Sequence, residues 1–242
     1  MKRVILPILI AMTLLTALAG GALPFLLSPE KPEQIHHIPL QRLDYGDEIG
    51  AKPLTIYEKL CLLQRGGQRI SVSPDIMDHS PDEIIRGLLK TLDRFSDSGI
   101  LSEDLHDTDI SAFPCMIFSI DTGEQFSKYW NVFLDQYSNE NNYQITCLVD
   151  DDTMNLITVS CEFFNSYMIS EDLENSVQTF AELYFRNLGI EDVEPYEGFE
   201  GTNTWYYQIP VEGMGKIIVE FLYYEYDTGS QFQITMIDVM AE

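Results

Sequence analysis

Residues able to do chemistry are plentiful in this chain, yet none combines the spacing and the setting that a familiar reaction demands. Ser28-Pro29-Glu30-Lys31 has the Ser-x-x-Lys spacing of a serine/lysine acyl enzyme. It lies in a proline-rich stretch instead of at a helix start, so it reads as part of a spacer. His36, His37, His79 and His106 are the only histidines, and no His-Glu-x-x-His pair occurs among them. Neighbouring His36 and His37 cannot face one ion from one helix. Asp150-Asp151-Asp152 could offer oxygens to a hard cation, but calcium needs six to eight ligands in a shaped loop. With no Asp-x-Asp-x-Asp-Gly pattern and distal glutamate, the triplet reads as a turn that keeps three acids in water. Gly213-Met214-Gly215-Lys216 lacks the upstream glycine and the Lys-Ser/Thr ending of a phosphate loop, and reads as a hairpin turn.

Cysteine chemistry is equally unsupported. Cys61, Cys115, Cys147 and Cys161 form no Cys-x-x-Cys, and the three full disulfide pairings stay open. Each lies in an apolar run, where a thiol serves as a small hydrophobe. Gly-x-Ser-x-Gly is absent. The expectation is a protein with no catalytic residue, no metal and no cofactor. A surface hydrolase using paired carboxylates is the alternative, because 39 acids supply many pairs whose separation only a fold can set.

What must position these residues begins with the leader. Lys2-Arg3 precedes an uncharged run from Val4 to Leu27, long enough for a spanning helix of about 20 residues. The two cations keep the N-terminus cytoplasmic and send the rest outside. Residues 1–27 therefore read as a signal-anchor or transmembrane helix. Ala17-Leu18-Ala19 permits the other reading, a signal cleaved after Ala19 that releases a secreted protein. The expected address is a bacterial cell membrane, crossed once, with the C-terminal domain extracytoplasmic. Residues 28–53, with four prolines, read as a stalk. The excess of 39 acids over 14 Lys plus Arg, net −25, excludes nucleic acid as a partner.

Thr55-x-x-Glu58 fits a capping box before a short helix, and Gly66-Gly67 ends it. Ile70 to Val72 reads as a short strand. Ser80-Pro81-x-Glu83 opens a second helix whose Ile84, Leu88, Leu92 and Phe95 make an apolar stripe. Phe113 to Ile120 reads as a strand. Thr122 caps a third helix carrying Phe126, Tyr129, Trp130, Phe133, Leu134 and Tyr137. Tyr143 to Phe164 alternates as a hairpin. A three-residue loop at Asp151-Asp152-Thr153 places Cys147 opposite Ile157 and Cys161 opposite Tyr143. Those cysteines are then roughly 13 Å apart and unbonded. A fourth helix runs from a Ser170 cap to Leu188, with Gly189 as its stop. Strands follow near Val193–Phe199, Thr204–Val211, Lys216–Tyr226 and Gln231–Met240, with Val219, Phe221, Tyr223, Phe232, Ile234 and Met236 sharing one face. The division is a helical segment with short strands at 54–120 and a helix-hairpin-helix-meander domain at 121–242. The fold class is α+β, helices packed on an antiparallel sheet, preceded by the N-terminal transmembrane helix.

Tyr143-x-Ile145, Asp150-x-x-Thr153 and Ile157-x-Val159, preceded by the helix of Trp130, resemble the PepSY and cystatin-like extracytoplasmic modules of Gram-positive bacteria over about residues 124–164. The resemblance implies a helix on a curved antiparallel sheet, a binding, inhibitory or regulatory role, and no catalytic residues. The second helix and meander would be a further such module, although the halves share no readable repeat.

The function expected is a membrane-anchored binding or regulatory protein that engages a protein or peptide partner. Trp205, Tyr206, Tyr224 and Tyr226 are the aromatic residues expected on the partner surface. A structural subunit of an envelope assembly, docked through the stripe from Ile84 to Phe95, is a further alternative.

Overall fold

The computed structural model describes residues 53–101, 108–119, 125–137, 142–164, 172–199, 201–211, 213 and 215–237. Thr55 begins the first element as a true capping box. Its side chain accepts the Glu58 N–H, the Glu58 carboxylate accepts the Thr55 N–H, and α1 runs Ile56–Gln64. Ser80 and Glu83 repeat the device at the head of α2, Pro81–Ser96. Asp172 caps α3, Leu173–Leu188, and Gly189 closes it at φ 70. The expected cap, Ser170, lies outside the described residues.

A 3-10 turn spans Pro74–Ile76, and the remaining described elements are strands. They are β1 Gln68–Ser71, β2 Asp109–Phe118, β3 Phe126–Tyr137, β4 Asn142–Asp150, β5 Leu156–Phe164, β6 Glu194–Pro195, β7 Thr204–Val211, β8 Gly215–Tyr226 and β9 Gly229–Ile237. They form one antiparallel sheet in the order β1-β2-β3-β4-β5-β9-β8-β7-β6. The α+β expectation is thereby overturned: the described chain is mainly β, with three short helices. No described helix is long and apolar enough to cross a membrane. The leader at 1–27 and the stalk, Pro53 apart, lie outside the described residues.

The decisive change is at Phe126–Tyr137, expected as a helix and observed as β3. Its apolar residues satisfy both periods, because both faces of this strand are covered. Trp130, Val132 and Leu134 point to one side and Tyr129 to the other, all fully buried. Aromatic and β-branched enrichment then favours the strand. The segment of Trp130 that precedes the hairpin is therefore a strand and not the expected helix. Pairing of β2 with β3 also carries the sheet across the boundary drawn at residue 120.

The sheet has an internal symmetry that sequence alone does not show. A 16-residue helix followed by a four-strand meander occurs twice, as α2 with β2–β5 and α3 with β6–β9. The last strands of the two meanders, β5 and β9, pair across the middle. Both helices pack on the inner face, where Phe95 meets Phe180 at 4.8 Å and Phe180 meets Phe232 at 5.0 Å. Val219, Phe221 and Tyr223 pair with Met236, Ile234 and Phe232 on that face, as their alternation requires. The Tyr184 hydroxyl donates to the Ile157 carbonyl at 2.7 Å, so its buried polar end is satisfied. α1 lies on the outer face, where Gln64 Nε2 donates to the Ile237 carbonyl at 2.8 Å.

The seam between halves is tight. A Cβ at Gly229 would overlap the Phe163 carbonyl oxygen, a backbone atom fixed by the ladder. Gly229→Ala is expected to cost about 1–3 kcal/mol by overpacking. A urea midpoint unchanged from the parent protein would refute that tight seam.

The hairpin register also differs from expectation. Cys147 pairs with Val159 and Cys161 with Ile145, with a bulge at Leu148/Val149. The connection spans Asp151 to Asn155, with Met154 left-handed at φ 58. A shift of two residues leaves both apolar sets on one face. Cys147 and Cys161 are thus diagonal neighbours instead of four residues apart. They remain unbonded, and all four cysteines are free and buried.

Candidate functional site

Two places gather polar side chains at unusual positions. The first is the Asp150-Asp151-Asp152 turn, which is not the solvated turn expected. Asp150 and Asp151 are fully buried. Asp150 ends β4 on the outer face, directly beneath α1, and there Lys59 meets it. Lys59 Nζ lies 2.7 and 2.9 Å from the two Asp150 carboxylate oxygens and 2.6 Å from Asp152 Oδ2. The Thr153 hydroxyl donates to Asp150 Oδ2 at 2.6 Å. The ammonium thus occupies the centre that a cation would need.

Asp151 turns the opposite way and gathers a second set of donors. Trp130 Nε1 donates to Asp151 Oδ1 at 2.8 Å, the Asp78 N–H to Oδ2 at 2.7 Å, and the His79 N–H to Oδ1 at 3.3 Å. His79 Nδ1 meets the Asp151 carbonyl oxygen, which can only accept, so Nδ1 carries the proton. Lys128 joins Asp78 at 2.9 Å. The turn is therefore a clip, tying α1 and the entry to α2 onto the central hairpin. Among the described residues no group of three or more His, Cys, Asp or Glu could hold a metal ion.

Burial alone would lower the Lys59 pKa, but hydrogen bonds and charge from Asp150 and Asp152 outweigh it and hold the pKa above 10.5. A folded-state value above the unfolded one stabilises fully below pH 10.5, and that gain is lost as pH rises through the folded value. Tyr129 and Tyr184, raised by burial, add to the same alkaline loss. The contribution of Lys59 should hold below pH 10.5 and fall above it. The fall should be shallower in Lys59→Met, as urea midpoints across the range would show. Identical pH profiles would remove Lys59 from the account.

The second place is a groove of about 220 Å³ on the outer face, beside the C-terminal end of α1. Leu63, Thr146, Thr158, Ser160, Gln233 and Thr235 line it. Thr146 and Ser160 pair across β4 and β5, and Ser160 pairs with Gln233 across the seam. The groove therefore straddles the junction of the two half-sheets. Its lining offers hydroxyls and an amide, each able to donate and accept, and no charge. Glu220 stands one strand away, taking a 2.8 Å hydrogen bond from the Thr235 hydroxyl.

The four aromatic residues expected on a partner surface are divided by the sheet. Trp205 pairs with Phe221 on the inner face and packs against the core. Tyr206, Tyr224 and Tyr226 lie on the outer face. Tyr224 is the most exposed at 59% and stacks on Tyr226 at 6.3 Å. Tyr206 sits against Phe199 at 5.1 Å. Partial burial, then the neighbouring Glu220 carboxylate, raises its hydroxyl pKa. His36, His37 and His106 lie outside the described residues.

Sequence reasoning did not find the clip, although two signals pointed to it. Lys59 stands three residues after Ile56 and four before Leu63, on the apolar side of α1. A buried tryptophan also needs an acceptor for its indole N–H. The PepSY and cystatin-like resemblance finds neither support nor opposition in comparisons with known proteins: no family model, no curated protein and no solved structure matches this chain.

Proposed function

We propose that this is a non-catalytic binding or regulatory protein that holds a protein or peptide partner on the outer face of its sheet. The carrying observation is the open, uncharged groove at the seam between the half-sheets, flanked on the same face by Tyr206, Tyr224 and Tyr226. Two halves meeting along β5 and β9 make a continuous hydrogen-bonded floor, and a preformed floor favours recognition because little is ordered on binding. The groove's lining holds no carboxylate, which favours binding over hydrolysis by paired acids. The stripe of Ile84, Leu88, Leu92 and Phe95 is buried in the core, so it offers no docking surface to a neighbouring subunit. We place the domain on the exported side of a bacterial membrane, where Lys2-Arg3 and the apolar run would direct it.

A photo-crosslinking residue in place of Ser160 tests this reading in intact cells. A discrete adduct is expected there, and not with the same residue in place of exposed Gln178 on α3. No adduct at Ser160, or identical adducts at both positions, would overturn it.

A further inference from the structure

We propose that the outer edge of β2, over Asp109–Phe113, is a strand-addition site for an extended segment carrying a cationic residue four positions after an apolar one. β2 spans ten residues, but β1 pairs only with its last four, Cys115–Phe118. One more rung follows, from the Val72 N–H to the Pro114 carbonyl at 3.3 Å. Backbone groups point to alternate sides along a strand, so Ile110 and Ala112 share the outward direction of Pro114. No described strand pairs with them. Such an edge is a template for another strand unless it is blocked. Proline and bulges are common blocks. Pro114 guards only the point where β1 ends, and the bulge lies on β4 and β5.

The side chains beside this edge say what would pair. Asp109, Ser111 and Phe113 share the outer face, opposite Asp135, Phe133 and Asn131 respectively. Phe113 is 56% exposed and meets Phe133 edge-to-face at 5.9 Å, forming an apolar shelf. Asp109 and Asp135 stand directly opposite one another, an arrangement that like charges disfavour. Asp135 accepts from Gln144 at 2.9 Å, and neither carboxylate has a described cation within 4.0 Å. A lysine or arginine placed opposite Asp109 would relieve that repulsion. The net charge of −25 also speeds encounter with a cationic segment.

Every described junction of the sheet is antiparallel, and the proposed strand adds in the same sense. Its apolar residue then faces Phe113 and its cation, four residues later, faces Asp109. The residues opposite Ala112 and Ile110 exchange backbone hydrogen bonds with them. This site is separate from the groove and uses none of its lining.

A fluorescein-labelled peptide of sequence Ser-Ile-Val-Thr-Val-Lys-Ser, titrated against the full-length protein by anisotropy, tests the proposal. Saturable binding is expected, with amide-exchange protection at Ile110 and Ala112. N-methylation of both valines should weaken binding at least about tenfold, since it removes the backbone pairing without altering charge. Replacing the peptide lysine by glutamate should weaken it about threefold or more. Asp109→Lys in the protein should reverse that preference. Equal affinity for methylated and unmethylated peptides would overturn the proposal. So would no binding up to roughly millimolar peptide. Loss of Ser160 crosslinking with peptide binding intact would sink the groove reading alone.

Discussion

Lys59→Ala is expected to cost about 3–5 kcal/mol, the range for removing one partner of a buried ion pair. The size follows from what is left behind. Asp150 is fully buried, and its carboxylate would keep the Thr153 hydroxyl as a donor but lose the ammonium bonded to both of its oxygens. A domain of this kind is stable by about 5–15 kcal/mol, so one substitution would consume a large part of that margin. Asp152 provides the internal control. Its side chain is 43% exposed, so water can replace the lysine, and Asp152→Ala should cost no more than about 1 kcal/mol. Urea unfolding of the two variants separates these outcomes. If Lys59→Ala costs less than Asp152→Ala, the ion pair with Asp150 does not hold α1 to the sheet.

Asp151→Ala should rank with it, at about 3–5 kcal/mol, for a different reason. The loss here is of hydrogen bonds to a buried acceptor. Three donors lose their acceptor: the Trp130 indole N–H and the backbone N–H groups of Asp78 and His79. Each unsatisfied buried donor costs about 1–3 kcal/mol, and the two backbone groups are near enough to the surface to recover part through water. Trp130 is fully buried and cannot. A double-mutant cycle with Trp130→Phe tests that attribution. Once the indole N–H is gone, the further loss on removing Asp151 should shrink by about 1–3 kcal/mol. Additive losses would mean that the indole bond contributes nothing measurable.

Both predictions concern a turn that the sequence presents as three acids in water. Nothing local contradicts that reading, since Asp-Asp-Asp-Thr is ordinary turn composition. What overrules it is distant. Lys59 lies 91 residues before Asp150, and Trp130 lies 21 before Asp151. The same logic explains β3. A strand covered on both faces loses the alternation that would announce it, and its aromatic spacing then fits a helix equally well. By contrast, α1, α2 and α3 were readable because capping residues and a one-sided stripe act within a few residues of chain. Tyr206, Tyr224 and Tyr226 were legible only as aromatic residues. Which of them share a face with the groove depended on the β7–β8 register.

By itself the sequence determined the capped starts of α1 and α2, the alternating strands of the second meander and the net charge of −25, since each depends on neighbouring residues or on their sum. Only the tertiary structure decided that β5 joins β9 into one nine-stranded sheet, that Asp150 and Asp151 are buried, and that no second described strand pairs with Asp109–Phe113 of β2. Those features are contacts between residues far apart in the chain. Their free energy comes from burial and pairing that exist only once the halves meet, so no local propensity encodes them.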